Sequence, residues 1–258
     1  MTLRKDQLKG QMRATEIALC QRVAALISPT CHVILLADRG FASMELFRAW
    51  DAVRWDWIIR SKGTVWVQKE GQPWKSLSSW SHERPVHVDL PRVRYGRRSH
   101  GGRYPCRIVV YGEQGHPDPW NLVVSAGLTP AQWPEERVVV AYGQRFTTEE
   151  CFKDQKNDPY EGFHLDCVKL GTPERWDRLL LIFAWAYYWL NVAGCHMETA
   201  EQAPQWRANT AKKRTHALWR LGHWGLEHHD VVWRTLLRTR LAFIRTIPSP
   251  CPILPTTS

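Results

Sequence analysis

Two short apolar runs, His32–Ala37 (HVILLA) and Trp55–Arg60 (WDWIIR), restrict the fold more than any other feature of the chain. Each is too short for a helix and rich in branched or aromatic side chains. Such runs suit strands covered on both faces, as in a parallel sheet. Helical spacing surrounds them. Residues 13–27 place Ile17, Ala18, Cys20, Ala24, Leu26 and Ile27 at the spacing of an amphipathic helix, which Ser28-Pro29 ends. Ser43–Val53 reads as a second helix. Helix, strand, helix, strand over residues 13–60 predicts an α/β sheet. Asp38-Arg39-Gly40 follows the first run directly, at the strand end where such sheets carry ligand and catalytic groups.

From Ser61 to Ala126 the helical period disappears. Thr64–Gln68, Pro85–Asp89, Arg107–Tyr111 and Leu122–Ser125 are strand candidates separated by turn-forming stretches such as YGEQGHPDPW. Within this β-rich part, RVRYGRRSHGGRYPCR carries Arg92, Arg94, Arg97, Arg98, Arg103 and Arg107 with Tyr95 and Tyr104 between them. Basic side chains among aromatics and glycines suit a flexible nucleic-acid contact, and a solvated charged loop explains them equally.

After Pro134 helical spacing returns. One helix is expected to run through Tyr142–Lys156 (YGQRFTTEECFKDQK) to a break at Asn157-Asp158-Pro159. At about 100° per residue, Tyr142, Arg145, Glu149 and Lys156 would project at roughly 0°, 300°, 340° and 320°, within one arc of about 60°. Glu149 and Asp38 are the carboxylates suited to a divalent metal, with Arg145 and Lys156 suited to phosphates and Tyr142 to hydrogen bonding or stacking. A strand-end aspartate can instead be a cap, and a charged helix face can instead be solvated surface. Arg175–Val192 is an apolar helix. The run Leu179–Ala193 within it holds Asn191 and falls short of the roughly 20 apolar residues that span a bilayer, so a buried core helix is expected. Residues 198–212 read as a loose connection, Thr215–Trp224 and Val231–Ile244 as helices, and the proline-rich tail from Pro248 as extended or disordered.

Composition narrows the partners. Among 258 residues, 35 Lys and Arg face 25 Asp and Glu, a net charge of +10 that points to an anionic partner, above all nucleic acid. Seven cysteines without a CxxC pair argue against a disulfide framework or a zinc ribbon, and favour a reducing cytoplasm. Fifteen tryptophans serve either a core or base stacking.

The spacing Tyr142-x2-Arg145-x3-Glu149-x6-Lys156 resembles the third motif of bacterial insertion-sequence DDE transposases of the family numbered four. LLADRGF (35–41) is similar to the motif around that family's second catalytic aspartate, and PWNLVVSAG (119–127) to the strand before the third motif. The resemblance spans roughly residues 13–225. It implies an α/β, ribonuclease H-like core with a β-rich insertion and C-terminal helices. Its parts would be residues 1–60, a partial core with Asp38; 61–126, the insertion; 127–192, the rest of the core; and 193–258, basic helices and tail. It implies metal-dependent cleavage and joining of DNA, at transposon ends and target, with Mg²⁺ or Mn²⁺ held by Asp38 and Glu149. DNA would be gripped by Tyr142, Arg145 and Lys156, with Arg39, Arg97 and Arg98 as further contacts. The partner is DNA rather than a membrane, a homodimer on DNA is compatible, and the location is the bacterial cytoplasm with its nucleoid.

One departure stands out. Upstream of Asp38 the only acidic residues are Asp6 and Glu16, and neither sits on a strand as the family's first aspartate does. The core is therefore expected to be incomplete at its N-terminal strands. This leaves an active transposase completed from elsewhere, a catalytically inactive remnant that only binds DNA, and a metal-dependent nuclease on the same core.

Overall fold

The computed structural model describes residues 12–80, 85–96, 103–114, 118–156, 162–199 and 216–228. The chain divides after Lys169 into two compact units.

In the first unit, helix α1 (Met12–Ala24) leads to strand β1 (Ile34–Ala37), helix α2 (Met44–Ala52) and strand β2 (Asp56–Arg60). Ser43 caps α2, its hydroxyl accepting from the Leu46 amide at 3.3 Å. β1 and β2 pair in parallel, Ile34 opposite Asp56 and Ala37 opposite Ile59. Strands β3 (Trp66–Lys69), β4 (Lys75–Ser76), β5 (Val86–Tyr95), β6 (Tyr104–Gly112) and β7 (Trp120–Val124) join the same sheet, all antiparallel to their neighbours. The order is β1-β2-β7-β6-β5-β3-β4. The β-rich stretch is thus continuous with the parallel pair through β7.

Alternation along the central strands divides the core between the two faces. Trp57, Ile59, Ile108, Val110 and Val123 pack with Leu46, Phe47 and Trp50 of α2. Ile58, Val109, Leu122 and Val124 pack with Val138 and Tyr142 of helix α3 (Glu135–Gly143). Covered on both sides, these strands read as unbroken apolar runs. Phe47 stacks on Trp57 at 4.3 Å, with Tyr95 and Tyr104 edge-on to it. Tryptophan here builds core: Trp50, Trp55 and Trp57 are buried.

Several sequence expectations change. Among the described residues β1 pairs with β2 alone, at the edge of the sheet, and its Ile34, Leu35 and Leu36 are half-buried instead of buried. α1 buries no residue: Ile17, Cys20 and Ala24 rest against the core while Leu26, just past the helix, is 87% exposed. The described residues of the arginine-rich stretch are mostly sheet, with β5 running to Tyr95 and β6 starting at Tyr104. The register of that pair shifts between Leu90 and Val93, at Pro91, which has no amide to give a ladder. Tyr95 and Tyr104 are core residues: the Tyr95 hydroxyl bonds Ser61 at 3.1 Å, and the Tyr104 hydroxyl donates to Asp51.

The second unit holds helices α5 (Pro173–Thr199) and α6 (Leu218–His228). They cross through two glycines. A Cβ on Gly194 would lie 1.9 Å from the Leu218 carbonyl oxygen, and one on Gly222 would lie 1.9 Å from that of Leu190. α6 thus covers the C-terminal half of α5, where Ala193, Gly194 and Met197 are buried. Leu181, Ile182 and Trp185 stay exposed, so α5 is not the buried core helix expected. By length and composition α5 meets the requirement for a bilayer-crossing helix. The segment around 198–212 lies almost wholly outside the described residues, as do the helix expected at Val231–Ile244 and the tail.

Candidate functional site

The C-terminal ends of β1 and β2 place Asp38 and Arg60. Asp38 follows β1 directly, in extended conformation, and its Oδ1 accepts the Arg39 amide at 2.6 Å. It therefore caps the short turn Arg39–Phe41, and both Asp38 and Arg39 face solvent.

The expected single helix over Tyr142–Lys156 is two helices, α3 and α4 (Phe146–Lys156), with a turn at Gln144-Arg145. Gly143 favours helix weakly, and from Gln144 to Thr148 the amides of Gln144, Arg145, Thr147 and Thr148 bond three residues back instead of four. The Thr147 hydroxyl bonds the Gln144 carbonyl at 2.7 Å and fastens the turn. The single-arc expectation fails as a result. Tyr142 points into the core and is 1% exposed, whereas Glu149 on α4 is half exposed.

Arg145, in the turn, is the hub. Its guanidinium pairs with Glu149 at 2.7 Å. It also lies 4.7 Å from the Phe146 ring centre and 5.8 Å from that of Tyr142. Its pKa is raised: partial burial acts to lower it, but the Glu149 hydrogen bond and the nearby Tyr142, Glu149 and Asp38 outweigh that. The Tyr142 pKa is raised chiefly by burial, with Arg145 and Arg60 opposing and Asp38 reinforcing. The fold thus gathers Asp38, Tyr142, Arg145, Glu149 and Arg60 into one electrostatic neighbourhood. The Tyr142 hydroxyl and Arg145 Nε are both buried, and the Arg145 guanidinium lies beside the hydroxyl. Lys156 is outside the cluster, exposed, with its ammonium 5.9 Å from the Phe152 ring centre.

Structure adds residues that the sequence did not single out. Trp120 opens β7 and meets Tyr142 edge-on at 5.1 Å and Phe146 at 6.0 Å. Trp120 is half-buried and Phe146 exposed, so an aromatic surface flanks the charged cluster. A tryptophan at the head of an apolar strand was the available signal. Arg60, ending the WDWIIR run, was visible only as the last polar residue of a strand.

Arg107 is a correction. It is 1% exposed and cannot reach a nucleic acid. Its Nε and Nη2 bind the two oxygens of Asp89 at 2.8 and 2.6 Å, while Nη1 donates to the Leu128 and Trp133 carbonyls at 2.9 and 2.6 Å. It fastens the turn that delivers α3, and with it Tyr142. Arg92, Arg94 and Arg103 are exposed, and Arg97 and Arg98 lie outside the described residues.

Asp38 and Glu149 offer hard carboxylate oxygens, each using one in the contacts above. That donor set fits a divalent cation completed by water. It comes from two protein carboxylates, which makes a thinner site than three would.

A mixed sheet with Asp38 and Arg60 at the ends of its parallel strands, and Tyr142, Arg145 and Glu149 beside them, defines an α/β protein. The family model described as "Transposase DDE domain" matches residues 9–187, well over half of the chain, and the chain belongs to that family. Such domains act on DNA in transposition and use divalent metals. No curated protein matches the chain.

Proposed function

We propose that this chain carries the second and third acidic residues and the DNA grip of an insertion-sequence transposase of the family numbered four, on a ribonuclease H-like core. In this reading Asp38 and Glu149 are catalytic and would hold Mg²⁺ or Mn²⁺. The metal would activate a water or 3′-hydroxyl and stabilise the leaving oxygen of a phosphodiester. Arg145 and Tyr142 hold phosphate oxygens near the scissile bond. Lys156, Arg39, Arg97 and Arg98 contact DNA further out. Residues 61–126 are the insertion, residues 1–60 and 127–192 the core, and residues 193–258 basic helices and tail. Cytoplasmic action, and a dimer assembled on DNA, belong to the same proposal.

The observation that carries it is Arg145, joined to Glu149 at 2.7 Å and close enough to Asp38 to feel its charge. A guanidinium paired with one carboxylate and near a second balances their charge, and its fork of N–H groups also suits a phosphate.

A second reading, a remnant that only binds DNA, is favoured by the sheet edge. Among the described residues β1 has a neighbour on one side only, and the sole carboxylate upstream of Asp38 is Glu16, in α1 and paired with Arg13 at 2.7 Å. Two carboxylates hold a metal more weakly than three. The purified chain is therefore expected to bind duplex DNA with affinity that falls steeply as salt rises, without Mg²⁺- or Mn²⁺-dependent nicking. Nicking that disappears in Glu149→Gln would establish the catalytic reading over the remnant. Binding unchanged from low to high salt would remove the phosphate-grip argument from both.

A further inference from the structure

The loop before α5 carries a group of side chains that the transposase chemistry does not use. His164, Asp166 and Cys167 flank and form a short turn, Leu165–Cys167. One ligand atom from each lies within 4.8 Å of the others. His164 adopts left-handed backbone, φ 54° and ψ 33°, a conformation that a non-glycine residue seldom holds. Its ring is half-buried, and Nδ1 is sealed from solvent with no hydrogen-bond partner among the described residues. An unpaired buried ring nitrogen is unfavourable, and a ligand at the ring would relieve it. Asp166 and Cys167 are exposed, with their side chains in contact beside the imidazole.

We propose that His164, Asp166 and Cys167 form a binding site for a zinc-class divalent ion, separate from the Asp38–Glu149 carboxylates. The donor set decides the ion. Imidazole nitrogen with thiolate sulfur selects borderline metals such as Zn²⁺ or Co²⁺ over Mg²⁺, and the carboxylate completes three of four tetrahedral positions. Bonds of about 2.0–2.3 Å put tetrahedral ligands roughly 3.3–3.8 Å apart, so closure needs only rotation of the two exposed side chains. Binding replaces the Cys167 S–H bond by a sulfur–metal bond and releases that proton to solvent. The consequence is mechanical. The Phe163 amide bonds the Asp154 carbonyl at 2.7 Å, so the ion would stiffen a loop already fastened to α4, the helix that bears Glu149.

The test is a Co²⁺ titration of the full chain in a thiol-free phosphine reductant, read by absorption and proton release. We expect a near-ultraviolet thiolate-to-cobalt band, one proton released per ion, displacement by Zn²⁺ and none by excess Mg²⁺. Cys167→Ser should abolish the band. His164→Ala and Asp166→Asn should weaken binding by more than the roughly 10-fold that loss of an outer-shell partner costs. Circular dichroism reports whether each variant keeps the fold, and Asp166→Asn on the exposed turn keeps the test open if the others do not. Absence of the band in the wild-type chain, its survival in Cys167→Ser or displacement by Mg²⁺ would each overturn the proposal. None of these readouts depends on cleavage activity, so the proposal stands or falls apart from the transposase reading.

Discussion

A guanidinium in a protein interior is tolerated only when its N–H groups are answered, and Arg107 meets that condition with Asp89 and two carbonyls. Removing it leaves Asp89 and two carbonyls without their donor, whereas the lost apolar area is small. Arg107→Ala should therefore destabilise the first unit by about 3–5 kcal/mol, read as a lowered midpoint of urea unfolding. Arg107→Lys should recover little, because an ammonium cannot reproduce the two-pronged bond to Asp89. A loss under about 1 kcal/mol would mean that the Asp89 pair and carbonyl bonds are not holding the turn. Arg145 contrasts with it: its Glu149 partner is half exposed, so its value is in positioning a ligand rather than in stability.

Among elements, two glycine-dependent features behave oppositely. At the α5–α6 crossing there is no room for a methyl group on Gly222 or Gly194. Gly222→Ala should separate the helices, costing about 1–3 kcal/mol and exposing the amides of α6 to hydrogen exchange. At Gly143, where α3 gives way to α4, an added methyl group would have nothing within 4 Å. Gly143→Ala should be neutral or stabilising within roughly 1 kcal/mol. Comparable losses at the two positions would refute the close crossing. The break after Gly143 also matters for the site, because it lets Tyr142 enter the core while Glu149 stays at the surface.

At the scale of the molecule, the two units differ in how much core they own. The first has a sheet covered on both faces and an aromatic cluster around Phe47 and Trp57. Among its described residues the second buries Phe183, Ala193, Met197, Trp219 and Leu221, with Trp189, Val192 and Leu226 partly covered. A fragment of residues 1–169 should unfold cooperatively in urea, with blue-shifted tryptophan emission from Trp50, Trp55 and Trp57. A fragment of residues 170–258 should show no cooperative transition. The reverse result would place the stabilising core in the wrong unit. The charge of +10 acts at this scale too, drawing in DNA over a distance of about a Debye length whichever single arginine makes contact.

Local pattern carried much of this. β1, α2, β2, β7 and the helical character of residues 135–156 follow from apolar spacing, because a strand of period two and a helix of period 3.6 each record their buried faces in neighbouring residues. Asp38 and Glu149 were singled out by a strand-end position and a spaced motif, and the structure sets both near Arg145. Tertiary structure alone decided that Tyr142 faces inward and that Arg107 is a buried fastener. It also made β1 an edge and joined Arg145 to Glu149 while leaving Lys156 apart. Each of these depends on a partner distant in the chain: Asp89 and Trp133 for Arg107, the underside of β2 and β7 for Tyr142, and β2 as the one described neighbour for β1. Periodicity tells a residue which way to face. What it meets there is fixed only when the chain closes.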